Sequence, residues 1–208
     1  MPDATPGLQR IDGVARCWWA TSDPLYVAYH DDEWGRPVRN DDRLFEKLVL
    51  EGFQSGLSWI TILRKRENFR RAFQGFDPAR VAGFGARDVR RLLLDAGIVR
   101  HRGKIEAAIE NAKATQAVQR EIGSLATLIW RFAPAPRATR ALRSRADVVA
   151  TTAESVALSR ELRARGFRFV GPTTAYAFMQ AMGLVNDHLV GCASRAACAA
   201  ERRALKTT

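Results

Sequence analysis

An all-α protein is what the 208-residue sequence predicts, and three observations carry that expectation. Apolar residues recur at spacings of three and four, as at Leu44 and Leu48 or Phe69, Phe73 and Phe76, which lines them along one face of a helix. Helix-start signals precede several such runs: Asp23-Pro24, Asn40-Asp41-Asp42, Asp77-Pro78 and Pro172-Thr173-Thr174. No segment alternates convincingly with the period of two that a half-buried strand needs.

Residues 1–15, polar and containing Pro and Gly, read as a disordered tail, and Arg16-Cys17-Trp18-Trp19 opens the ordered part. The helix begun by Asp23-Pro24 sets Tyr26 and His30 on one face and stops at Trp34-Gly35-Arg36-Pro37. A helix over 41–53 carries Leu44, Phe45, Leu48 and Val49; after a turn at 54–56, another runs from Ser58 through Ile60, Ile62 and Leu63 into Arg64-Lys65-Arg66. Phe69, Phe73 and Phe76 are core candidates, and two short helices start at Asp77-Pro78 and Gly85-Ala86-Arg87-Asp88. A basic loop over 97–105 leads into a helix from about Ile105, with a further one from Leu125 to Phe132. Residues 133–147, rich in Arg and small residues with two prolines, read as a surface connection. The last helices run from Thr152 to Gly166 and onward from Pro172, with Tyr176, Phe178, Met179 and Met182 on the apolar side. Residues 16–192 thus form one helical unit, long enough for two packed lobes, and 193–208 a basic C-terminal tail that includes Cys198.

Hydrophobic residues at 47% and charged residues at 26% are ordinary for a globular protein. No apolar run approaches the roughly 18–20 residues of a membrane helix, and residues 1–16 resemble no secretory or transit signal, so a cytoplasmic protein is expected. The 33 Lys and Arg against 22 Asp and Glu, a net charge of +11, suit a phosphate-bearing partner. A codon bias that loads Arg and Ala onto solvated faces explains the same balance, so charge alone does not decide. Three scattered cysteines are too few for a disulfide scaffold.

Chemistry concentrates at three places. Glu51 shares a helix face with Leu44 and Leu48, just before a flexible turn and Trp59. Such a carboxylate either meets a partner inside the protein or, at a helix end, reaches solvent or a neighbouring backbone. Second, the stretch 166–175 reads as helix, glycine-bearing turn and new helix, presenting backbone N–H groups to a phosphate oxygen; an ordinary helix hairpin has the same outline. Third, His188 and Cys192, four apart, would face one way on a helix, and with Cys17 and His30 complete a Cys2His2 zinc set. A buried hydrogen-bonded His and a small buried Cys are the plainer reading of these residues.

From Arg16 to Cys192 the chain resembles the bacterial 3-methyladenine DNA glycosylase I family. The shared motifs are Arg16-Cys17 with Trp19, Asp23-Pro24-Leu25-Tyr26, Tyr29-His30-Asp31, Glu33-Trp34-Gly35, Leu50-Glu51-Gly52 with Gly56-Leu57-Ser58-Trp59, Asp95-Ala96-Gly97-Ile98, and Leu184-Val185-Asn186-Asp187-His188 with Gly191-Cys192. The resemblance implies a helix-hairpin-helix DNA glycosylase fold with one structural zinc joining the terminal segments through Cys17, His30, His188 and Cys192. It implies Glu51 as the catalytic and recognition carboxylate, Tyr29 and Trp59 as the base pocket with Tyr26 and Trp34 beside it, and Gly56-Leu57 as a wedge for the gap left by a flipped base. The phosphate-binding hairpin becomes Gly166, Val170, Gly171, Thr173 and Thr174. The expected activity is hydrolytic release of 3-methyladenine from alkylated double-stranded DNA by a monomer with no membrane and no obligate protein partner. Flipping the base between aromatic faces answers the need to reach it inside a duplex.

Three features qualify the resemblance. Asn186 stands where glycosylases of the wider superfamily carry an Asp that supports the sugar cation, with Asp187 able to compensate if the register slips by one. Ser55 replaces the Ala of many relatives, and residues 193–208 extend beyond the shared motifs. No lysine stands out as a Schiff-base nucleophile; Lys104 and Lys113 read as phosphate-contacting or solvated, so no lyase step is expected. A zinc deaminase is excluded, because the sequence has neither His-x-Glu nor Pro-Cys-x-x-Cys. The remaining alternative is a non-catalytic, zinc-stabilised helix-hairpin-helix DNA-binding protein.

Overall fold

The computed structural model describes residues 7–135 and 141–205; the expectations for residues 1–6, 136–140 and 206–208 lie outside the described residues. The chain is mostly helical, as expected, but its first element is a short hairpin that the all-α expectation did not include. Strand β1 (Leu8–Ile11) pairs antiparallel with β2 (Val14–Cys17), in a stretch expected to be a disordered tail to residue 15. The joint is Asp12-Gly13, both with positive φ (52° and 76°), the two-residue turn whose twist matches that of paired strands. Arg16 fastens the hairpin by donating from Nη1 to the Ile11 carbonyl at 2.7 Å.

Ten helices follow among the described residues: α1 (Pro24–Asp32), α2 (Asp41–Gln54), α3 (Trp59–Ala72), α4 (Pro78–Ala82), α5 (Ala86–Leu94), α6 (Arg102–Ile122), α7 (Leu125–Trp130), α8 (Ala153–Ala164), α9 (Pro172–Ala181) and α10 (Arg195–Ala204). Side chains start them where expected. Asp23 accepts from Leu25 N, Asn40 from Arg43 N, Asp77 from Ala79 N and Arg80 N, and Thr152 from Ser155 N. Helix α7 borrows a carboxylate from elsewhere as well: Asp41 accepts from Leu125 N and Ala126 N, both at 2.9 Å. It thereby ties the start of α2 to the start of α7.

Helix α2 is the centre of the molecule. Every residue from 47 to 53 is buried, as are Leu44 and Phe45, because α3, α6, α7 and α9 pack around it. Phe53 meets Phe69 and Phe73, which stacks on Phe76, so the phenylalanines expected in the core are there. A second, smaller core joins the two ends of the chain: Cys17, Leu142, Leu189 and Cys192, with Leu8, Trp18, Trp19 and Val148 against them.

The C-terminal segment is not a free tail. Helix α10 buries Cys198 and Arg202, Arg202 donates to the Pro134 carbonyl at 2.6 Å, and Glu201 pairs with Arg36. Nearby, Gly183 has φ +72°, and a Cβ there would lie 2.5 Å from Pro37 N, so only glycine lets α9 end against residues 36 and 37. Among the described residues, no helix is long and apolar enough to cross a membrane.

Candidate active site

The last turns of α2, the face of α1 and the start of α3 wall a cleft of about 650 Å³, part of it open to solvent. Its lining includes Tyr26, Tyr29, Trp34, Glu51 and Trp59, the five residues expected to form a base pocket. The residues are brought together because α1 crosses α3, and because the turn over 55–58 folds Trp59 back beside Glu51. Tyr29 and Trp59 have ring centres 5.4 Å apart at 43°, and Trp19 packs edge-on to Tyr26 and Trp34. The indole Nε1 of Trp59 is buried with no hydrogen-bond partner among the described residues.

Glu51 takes the first of the two readings its sequence position left open. Its side chain is only 4% exposed and is paired with Lys47 Nζ at 2.7 Å, one helical turn earlier. That ammonium also donates to the Tyr29 hydroxyl at 2.9 Å and stands 3.2 Å from the centre of the Trp59 ring. Burial pulls the Lys47 pKa below the usual lysine value, while Glu51 opposes that fall. Burial likewise raises the Tyr29 hydroxyl well above the ordinary tyrosine value, with Glu51 and Glu33 adding to the rise. Lys47 was not singled out from the sequence, although the i, i+4 spacing of Lys47 and Glu51 is a charge-pair signal.

Asp187 also lines the cleft, accepting from Tyr176 Oη at 2.6 Å and Gln180 Nε2 at 2.8 Å. Asn186 instead donates to the Arg195 carbonyl at 2.9 Å. The one-residue alternative considered for this segment therefore has a carboxylate at the cleft.

Beside the cleft, Gly56 has φ +83° and Leu57 is 42% exposed, so the turn presents an apolar side chain to solvent. Lys104 stands behind it and corrects the expectation of a phosphate-contacting or solvated lysine. Buried, it donates to the carbonyls of Phe53 at 2.9 Å and Ser55 at 2.6 Å, capping the C-terminal end of α2. Lys113 is exposed and pairs with Glu110 at 2.9 Å.

The hairpin between α8 and α9 has Gly166 at φ +89° and Gly171 as the residue before α9, each with open space where a Cβ would stand. No side chain caps α9, which leaves the amides of Thr173 and Thr174 at its first turn; Val170 is buried and its carbonyl accepts from Ser159 Oγ at 2.6 Å. Asn111 on α6 holds the loop by accepting from Arg168 N at 2.7 Å and donating to Arg168 O at 3.1 Å. Arg163 and Arg168 are exposed around it.

Cys17, His30, His188 and Cys192 converge, all buried, with their ligand atoms within 4.8 Å of one another, as a Cys2His2 cluster that could hold a metal ion. The backbone differs from the expectation: residues 185–192 are irregular, so His188 and Cys192 meet through a loop and not along one helix face. The outer nitrogen of each imidazole has its own acceptor. His30 Nδ1 lies 2.7 Å from Oδ1 of Asp31, whose Oδ2 accepts from Arg16 Nε and Nη2, and His188 Nε2 lies 3.0 Å from the Trp34 carbonyl. The inner nitrogens, His30 Nε2 and His188 Nδ1, are left to face the sulfurs. The hydrogen bond from Cys17 and both imidazoles push the Cys192 thiol well below the usual thiol range, while the same hydrogen bond and burial push Cys17 up. Cys198 lies outside the cluster, beside Trp34 and Gly35.

Residues 19–196 match the family model of the methyladenine glycosylases, and the chain belongs to that family. It is 51% identical over 180 residues to DNA-3-methyladenine glycosylase 1 of Escherichia coli (strain K12), covering 86% of this chain and 96% of that protein. A crystal structure of 3-methyladenine DNA glycosylase I superposes with a TM-score of 0.81 at 49% identity, over 86% of this chain and 98% of that one. A variant of 3-methyladenine DNA glycosylase I solved in complex with 3-methyladenine is similar at TM-score 0.82 and 35% identity, over 85% and 95% of the two chains.

Proposed function

We propose that the protein is a monofunctional DNA glycosylase that flips 3-methyladenine out of alkylated double-stranded DNA and releases it hydrolytically, leaving an abasic site. The observation that carries this reading is the buried Glu51 carboxylate lining the same cleft as the Tyr29 and Trp59 rings, in a family whose relatives are named for that activity. Methylation at N3 makes the purine cationic and weakens its bond to the sugar. Breaking the bond between N9 and C1′ sends the electron pair to the base, which leaves neutral, while water adds to C1′ and loses a proton. Glu51 accepts hydrogen bonds from the adenine edge and favours the positive base; Tyr29 and Trp59 hold it by stacking, with Tyr26 and Trp34 closing the sides. Recognition is the larger part of the work, since the base is already a good leaving group.

The DNA is held, in this reading, by a helix-hairpin-helix: Gly166, Val170, Gly171, Thr173 and Thr174 take a backbone phosphate on the uncapped start of α9. Gly56 and Leu57 enter the gap left by the flipped base, which an exposed leucine on a glycine turn suits. The helical body is read as two lobes with the cleft between them, working as a monomer in the cytoplasm.

The metal is read as zinc. Bonds of about 2.3 Å to sulfur and 2.0–2.1 Å to nitrogen at tetrahedral angles set sulfur and nitrogen about 3.5 Å apart. The separations here are 3.4 Å for Cys192 to His188, 3.5 Å for Cys192 to His30 and 3.7 Å for Cys17 to His188. Bound there, zinc would fasten the N-terminal hairpin to the 185–192 loop, with no part in the reaction.

The test is base release from methylated DNA, with the free bases separated by chromatography, for wild type and Glu51→Gln. Wild type is expected to release 3-methyladenine and not 7-methylguanine. No release with DNA binding intact would replace this reading with a non-catalytic DNA-binding protein.

A further inference from the structure

The groups suited to a cationic base are already engaged by a cation of the protein itself. Lys47 Nζ lies 2.7 Å from Glu51 Oε1, 2.9 Å from the Tyr29 hydroxyl and 3.2 Å from the centre of the Trp59 ring. Carboxylate, phenol and indole face are the same three groups assigned above to the flipped base. An ammonium this close to the indole takes the room a stacked base would need, and it takes the charge of Glu51 as well.

We propose that Lys47 is a displaceable internal counter-ion that occupies the base subsite when it is empty, yields to the incoming base, and returns to help expel the product. This rests on the reading of the cleft as a base pocket. The lysine has somewhere to go. A second, smaller cavity is lined by Lys47, Tyr29 and Trp59 together with Glu33, Glu46, Arg66 and Arg70. There Glu33 is paired with Arg66 at 2.5 and 2.8 Å and Glu46 with Arg70 at 2.9 Å, so two carboxylates and two guanidiniums already share the space. Lys47 lines both cavities, so its flexible four-carbon stem needs only to change rotamer to turn from one to the other. Burial works against the ammonium where it stands, which keeps its hold on the subsite moderate.

The consequence is a toll that every entering base meets. An undamaged purine brings no charge to replace the lysine at Glu51, so its stay is unfavourable twice over. The alkylated base replaces one cation by another. Once the bond to the sugar breaks, the base is neutral and competes with the ammonium for the subsite on weaker terms, so that it leaves readily and only free base in excess keeps the lysine out. Lys47 therefore acts on base affinity and product release, as a specificity residue outside the bond-breaking step.

Two measurements test this. In wild-type protein with isotope-labelled lysine, the Lys47 side-chain resonances are expected upfield, under the Trp59 ring current. Adding free 3-methyladenine should shift the Trp59 indole signal and return the Lys47 signals toward ordinary positions. A Trp59 shift with Lys47 left upfield would overturn the displacement while leaving the base pocket intact. No shift of either at saturating base would remove the pocket reading and the inference with it. Second, Lys47→Met should tighten inhibition by free 3-methyladenine roughly tenfold, the factor expected for loss of one competing charge-assisted contact. Unchanged or weaker inhibition in the variant would overturn the proposal.

Discussion

Single side chains decide what the cleft can hold. Glu51→Gln keeps the shape and removes the charge, so kcat/KM for 3-methyladenine release is expected to fall by about 10²-fold or more, the scale of losing one electrostatic group in a dry site. A filter-binding measurement on the same variant should find DNA affinity nearly unchanged; equal loss of both would place Glu51 in the scaffold. Much at this scale was legible. Glu51 stood out as a carboxylate on an apolar stripe, and the aromatic set followed from the family motifs. The burial of Lys47 was not legible, because lysine within an amphipathic pattern reads as solvent-facing, and it is Tyr29 of α1 and Trp59 of α3 that enclose its amine. Lys104 was misread for the same reason: its amine turns inward to two carbonyls that have no helical partner, a need that sequence spacing does not display.

Among elements, two turns have sharp consequences. Leu57 stands out from the turn joining α2 to α3, and Leu57→Ala should slow release from duplex DNA several-fold while free 3-methyladenine still binds. Comparable rates on single-stranded and duplex substrates for wild type would deny the wedge. At the end of α9, Gly183→Ala combines a positive φ with a Cβ 2.5 Å from Pro37 N, which is backbone and cannot turn aside. A loss of at least about 2 kcal/mol in urea unfolding is expected; a neutral result would mean that residues 36 and 37 shift freely. Helix starts were read well, since Asp23, Asn40, Asp77 and Thr152 announce themselves locally. The N-terminal hairpin was missed even though Asp12-Gly13 between Ile11 and Val14 is a strong short-range signal, because each strand is only four residues long. Helix α10 is not legible in residues 193–208 alone, because its burial comes from residues 34–36 and 134, far away in the chain.

At the scale of the molecule, the buried Cys17, His30, His188 and Cys192 bring the first described segment against the 185–192 loop. Cys192→Ser should lower metal content and thermal midpoint together, and stripping wild type with a chelator should produce the same fall without mutation. Protein that is metal-free as purified, with an unchanged midpoint, would refute the zinc assignment. The residue types of this cluster were legible from the sequence; its backbone was not, since spacing by four suggested a helix where the chain makes a loop.

The spacing of those four residues along the chain has a bearing on the unfolded state. Cys17 and His30 precede α2 to α9, and His188 and Cys192 follow them. A metal held by all four would close that whole stretch into one loop. Its gain would come largely from the conformations denied to the unfolded chain, so the effect of stripping it should be greatest on the unfolding equilibrium of the entire helical body.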